Sequence, residues 1–191
     1  MGRSAVMEST ETTSRDPVAT NVQVAVLDDG RTAVVRVAGR GNFMNSVPLK
    51  KFADRLARKG HPERFIMDLA ECETLDSTFM GVLASISLLQ TRNGRNRLVV
   101  CNVNPHVQKL LTTLGLSRLM DVNGAANTCA ADLARAELAP VEDSEVSHTE
   151  QISHTLEAHK TLTRVDGDNA VRFQSVIHYL EKSLEEEQDP K

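Results

Sequence analysis

A single run of residues, 65–83, constrains this chain more than any other: Phe65-Ile66-Met67-Asp68-Leu69-Ala70-Glu71-Cys72-Glu73-Thr74-Leu75-Asp76-Ser77-Thr78-Phe79-Met80-Gly81-Val82-Leu83. Residues 65–69 are nearly all apolar, the pattern of a central strand covered on both faces. A short polar loop follows, and an apolar helix starts at Asp76-Ser77-Thr78. A strand covered on both faces and followed at once by a helix points to an α/β sheet. Two hydroxyls then stand at a helix N-terminus, where unpaired N–H groups and the helix dipole favour negative charge. A phosphate on Ser77 or Thr78 would suit such a place and would change what the surface binds. By themselves, Asp, Ser and Thr are also ordinary helix caps.

The flanking sequence extends the α/β pattern. Val22, Val24 and Val26 alternate with Asn21, Gln23 and Ala25, a period of two. Asp29-Gly30 predicts a hairpin into a second strand over 32–37, which Gly39-Arg40-Gly41 ends. Ser46 as cap, Pro48 in the first turn and Gly60 past the end predict a helix. Its buried stripe is Leu49, Phe52, Ala53 and Leu56. After the helix of 77–91, Asn93-Gly94 is a stop, and 98–103 reads as the fourth strand. Asn104-Pro105 opens a helix carrying Val107, Leu110, Leu111 and Leu114, which Gly115 stops. Residues 119–122 read as a short fifth strand.

This order, and above all the run Asp68-Leu69, spacer, Asp76-Ser77-Thr78, then Gly81-Val82-Leu83, resembles the STAS domain family of bacterial anti-sigma factor antagonists. The resemblance covers roughly residues 20–123, and Phe79 departs from it where the family usually carries glycine. It implies an α/β fold with a mixed sheet of four to five strands and helices packed on one side. It also implies a last domain helix, which residues 130–138 can supply. The expected organisation is a disordered arm over 1–19, a STAS domain over 20–138, a linker over 139–148 and a C-terminal helical hairpin over 149–187. The hairpin rests on two apolar stripes, Ile152, Leu156 and Leu162 in the first helix and Phe173, Val176, Ile177, Leu180 and Leu184 in the second. Such stripes must pack on the domain itself, on a second copy in a homodimer, or on a partner.

What the resemblance implies of function is partner switching in the cytoplasm. The unmodified protein binds an anti-sigma factor that is also a serine kinase, phosphorylation at Ser77 (or Thr78) ejects it, and a PP2C-like phosphatase resets the cycle. Asp76 would orient the Ser77 hydroxyl, and Phe79, Met80 and Met44 would form the apolar part of the docking face. Two other readings are a non-phosphorylated interaction or scaffold module whose C-terminal helices set oligomerisation, and a small-molecule or nucleotide sensor.

Composition narrows the alternatives. The net charge of −4, an aromatic content of 3% and the lack of tryptophan argue against a nucleic-acid partner. No stretch approaches the roughly 20 apolar residues of a membrane span, and 1–20 has no signal-peptide core. Three well-separated cysteines, Cys72, Cys101 and Cys129, predict reduced thiols. The spacing of His154 and His159 does not fit a metal-binding helix face, so no metal is expected, and the six histidines read as surface residues. With no phosphate loop and no catalytic motif, neither a cofactor nor an enzymatic activity is expected.

Overall fold

The structure, a computed structural model, describes residues 21–188 apart from His61, Ala125, Asp143 and Ser144. The expected arm of 1–19 lies outside the described residues. Strands β1 (Asn21–Leu27) and β2 (Thr32–Gly41) form the expected antiparallel hairpin, joined by a single 3-10 turn at Asp28–Gly30. Helix α1 (Phe43–Arg58) leads to β3 (Arg64–Asp68) and β4 (Cys72–Leu75). Helix α2 (Ser77–Arg92), β5 (Val99–Cys101), α3 (Pro105–Thr113) and β6 (Asp121–Val122) complete the middle of the chain. Then come α4 (Ala126–Arg135), β7 (Ala139–Pro140), α5 (His148–Val165) and α6 (Gly167–Gln188). The strand order is β6-β5-β3-β2-β1-β7, with β4 added beside β2, and the sheet is mixed.

Alternation along the strands sorts the core onto two faces. Ala33, Val35, Val37, Phe65, Met67 and Val100 point to one side, where residues of α1, α2 and α3 cover them. Val34, Ile66 and Cys101 point to the other, and α4 covers that face with Cys129 and Leu133. All the other helices with core residues thus lie on the first face, as the sequence suggests, with α4 alone on the second. Cys129 comes to rest over Cys101, and the two form a disulfide across 28 residues. The expectation of three reduced thiols is corrected for this pair. Cys72 is free and buried, and burial pushes its thiol up to about 11.

Among the described residues the sheet has seven strands rather than four to five, because β4 is added and because Ala139–Pro140, expected in the linker, pairs with β1; the last domain helix is Ala126–Arg135 rather than 130–138. Boundaries between β2 and α2 differ as well. Helix α1 starts ahead of Ser46: Asn42 is the cap, in a capping box with Asn45, and Pro48 falls inside the helix. Gly39-Arg40-Gly41 does not end β2. A positive φ of 68° at Gly39 and a register shift re-aim the strand, which then pairs with β4. The segment read as a polar loop, 72–75, is that fourth strand.

The C-terminal helices form a hairpin packed in cis against α2 and α1. Ile152, Leu156 and Leu180 join α5 to α6, while Leu162 and Phe173 enter the main core. At the turn, the buried Asn169 donates to the carbonyls of Leu114 and Leu162 at 3.1 and 2.9 Å.

Candidate functional site

The start of α2 is fixed by Asp76. One carboxylate oxygen accepts the Phe79 N–H at 2.8 Å and the other accepts the Phe43 N–H, also at 2.8 Å. Asp76 therefore caps α2 and ties the start of α1 to it. The hydroxyl of Ser77 pairs with His159 rather than with Asp76, whose carboxylate aligns two helix starts.

Ser77 is the first residue of α2 and is half-buried. Its Oγ lies 2.9 Å from Nε2 of His159 on α5. The other ring nitrogen, Nδ1, lies 2.8 Å from the Thr155 carbonyl and donates its proton there. In that tautomer Nε2 accepts the Ser77 hydroxyl proton. The ring is buried and meets Phe173 of α6 edge-on, with centroids 5.0 Å apart.

The remaining proposed site residues divide. Thr78 is 4% exposed, Phe79 0% and Met80 4%, so none of the three offers a docking surface. Phe79 turns into the core because the opposing backbone carries no side chain: a Cβ on Gly41 would meet the Phe79 ring at 3.2 Å and Leu75 at 2.4 Å. Met44 is 69% exposed. It stands beside an exposed residue the sequence reading missed, Phe43, in the first turn of α1.

A second histidine repeats the arrangement. His154 Nε2 is 2.8 Å from Oγ of the buried Ser46. That hydroxyl donates to the Phe43 carbonyl at 2.7 Å, so here the ring donates. The expectation of surface histidines in the tail is corrected at both positions. The signal was present, since His159 falls within the stripe of Ile152, Leu156 and Leu162. Between them, Gly81 lets the α2 backbone approach α5 closely: a Cβ there would meet the Ala158 carbonyl oxygen at 2.5 Å. One turn on, Ser85 Oγ donates to Thr161 Oγ1 at 3.4 Å.

Burial, with the Lys50 cation nearby, lowers His154 from the usual histidine range to about 4, against the weaker opposing pull of Glu150, Asp54 and Asp76. The folded protein thus binds this proton less readily than the unfolded chain does. The stability linked to this proton is fully present above pH 6.5 and is lost as pH drops from there towards 4. For one linked proton the slope is at most about 1.4 kcal/mol per pH unit, less at a site that water partly reaches. The expected result is a urea midpoint that falls between pH 7 and pH 5, and falls less in His154→Gln. Equal falls in both proteins would contradict this assignment.

A family model described as "Mlab, STAS domain" matches residues 24–121. The Anti-sigma F factor antagonist of Paenibacillus polymyxa is 26% identical over 103 residues, which span 53% of this chain and 86% of that protein. Among solved structures, the anti-sigma factor antagonist SpoIIAA in its unphosphorylated form aligns with a TM-score of 0.50 and 19% identity, over 60% of this chain and 96% of that one. This last likeness concerns the fold. Residues 24–121, which the family model matches, contain β2 to α3 and with them Ser77, but neither helix of the hairpin.

Proposed function

The chain belongs to the STAS domain family, and from that premise we propose that it acts as an anti-sigma factor antagonist, a regulator that works by binding rather than by catalysis. Its partner is an anti-sigma factor that is also a serine kinase. Binding is switched by phosphorylation at Ser77 and restored by a PP2C-like phosphatase, in the cytoplasm where transcription is controlled. The observation that carries this reading is the placement of Ser77. It is the first residue of a sixteen-residue helix and half-buried, and the Asp76 next to it in the chain bonds the N–H of the exposed Phe43. Thr78 is enclosed, so the acceptor is Ser77 rather than its neighbour. In the modifying step the γ-phosphoryl group of ATP passes to Ser77 Oγ, ADP leaves, and the hydroxyl proton goes to the kinase's base. The product carries about −1.5 to −2 charge at neutral pH. Set in an interface beside Asp76, that charge repels acidic partner groups and opposes desolvation.

The test is phosphorylation of the full chain by purified ATPase-fold serine kinases of the host, read by intact mass and peptide mapping. Incorporation of one phosphoryl group, lost in Ser77→Ala, is the expected result. Incorporation elsewhere, or none with any such kinase, would remove the switch. The hairpin over Ser77 favours one other reading, an unmodified interaction module whose tail sets partner choice or homodimer formation.

A further inference from the structure

We infer that the outward stripe of α2, Ser77, Gly81 and Ser85, is a docking surface for a partner helix, and that the protein's own α5–α6 hairpin occupies this surface in competition with that partner. The identity of the partner rests on the function proposed above. The occlusion does not.

Residues four apart lie on one helix face, so these three form a single line along α2. Each of them meets α5. Ser77 bonds His159 at 2.9 Å, Gly81 faces the Ala158 backbone, and Ser85 bonds Thr161 at 3.4 Å. The line is small and polar, whereas the neighbouring α2 residues Phe79, Met80, Val82 and Leu83 all belong to the core. Along α2 the seam is polar like an exchangeable interface, while the same hairpin seats Leu162 and Phe173 in the main core, so a displaced hairpin carries these two out with it. The seam is reinforced by polar links from α1 to α5, Ser46 to His154 at 2.8 Å and Lys51 to Glu150 at 2.9 Å.

Closure and modification compete for one oxygen. Ser77 Oγ is bonded to a buried ring and the residue is only half-exposed, so a phosphoryl group on that oxygen displaces the bond that holds α5. On this proposal a kinase gains full access to Ser77 once α5 has moved. Phe43 and Met44 stay exposed while the stripe is covered, so a partner has an apolar foothold at its edge before displacement. The stripe also specifies the incoming helix. It must bring a small residue, such as alanine or glycine, against Gly81, as Ala158 does, and an acceptor for the Ser77 hydroxyl, as His159 does. Because the hairpin competes in cis, the apparent affinity is reduced by the fraction of molecules that are closed.

The experiment uses the full chain throughout. A thiol is introduced by Ser77→Cys and its reaction with a maleimide is followed by peptide mapping, with and without the wedge Ala158→Leu, which acts from the hairpin side and leaves the domain core untouched. Labelling at least about tenfold faster with the wedge is expected, equivalent to about 1.4 kcal/mol of closure. Equal rates overturn the occlusion. Should the wedge alter the fold as judged by circular dichroism, Gly81→Ala decides from the other side, with the same outcomes. The paired change Ser85→Cys with Thr161→Cys supplies a lock, its two single changes serving as controls. Purified ATPase-fold serine kinases of the host should bind the oxidised lock at least about tenfold more weakly than either control. Equal binding overturns the competition. If no such kinase binds even the wedge variant, the proposed function fails, while the labelling rates still decide whether the hairpin covers Ser77.

Discussion

Phe79→Gly, which restores the residue usual in the family, is expected to cost about 4 to 6 kcal/mol of stability. Removing a buried phenylalanine costs roughly 3 to 5 kcal/mol, and glycine in a helix adds about 1 kcal/mol relative to alanine. The Phe79 side chain is fully buried and packs on the bare backbone of Gly41, so the space it leaves has no neighbour able to fill it without moving β2 or β4. Against a typical total of about 5 to 15 kcal/mol, a loss of this size would leave the domain marginal. Urea unfolding followed by circular dichroism measures it. A loss below about 1.5 kcal/mol would mean that Phe79 is not anchored as described. The same geometry settles how the departure from the family pattern bears on the site. Phe79 adds no bulk on the approach to Ser77, because it points the other way.

The order of elements was legible because each is governed by a local pattern. The β1–β2 hairpin, the cap at Asn104 and the start of α2 at Ser77 are all encoded within a few residues. Strand β4 was not legible. Cys72 and Leu75 are buried, but Glu73 between them breaks any apolar run, and the segment is a strand only through pairing with the far end of β2. The tie from Asp76 to Phe43, 33 residues earlier in the chain, is likewise outside any local pattern. The two hairpin helices were readable from their period, yet a period does not say which surface receives a stripe. That His159 reaches Ser77 across 82 residues is a fact of docking, and no local pattern contains it. The disulfide escaped for the same reason: its partners meet only because α4 crosses to the second face of the sheet.

Ser77→Asp is expected to open the hairpin and, in the same molecule, to weaken partner binding by about a hundredfold, which corresponds to roughly 2.7 kcal/mol. The helix itself tolerates the change, because an acidic group suits the first turn. The two interfaces do not. Nε2 of His159 loses the hydroxyl proton it accepts and faces a carboxylate instead, in a buried setting closed off by Phe173. A buried acceptor left without its donor costs about 1 to 3 kcal/mol, and pairing with the carboxylate requires the buried ring to take up a proton, which adds a desolvation cost. Ser77→Ala separates hydroxyl from charge. It too removes the donor to His159, so α5 loosens, but nothing repels the partner, and binding should match or exceed that of the unaltered protein. Hydrogen exchange over His148–Val165 reports the hairpin, and titration with the serine-kinase partner reports binding. The expected pattern is crossed: exchange rises in both variants, whereas binding falls only in Ser77→Asp. Unchanged exchange in both would sink the link between Ser77 and the hairpin. Equal binding by Ser77→Asp and the unaltered protein would sink the phosphorylation switch while leaving that link in place.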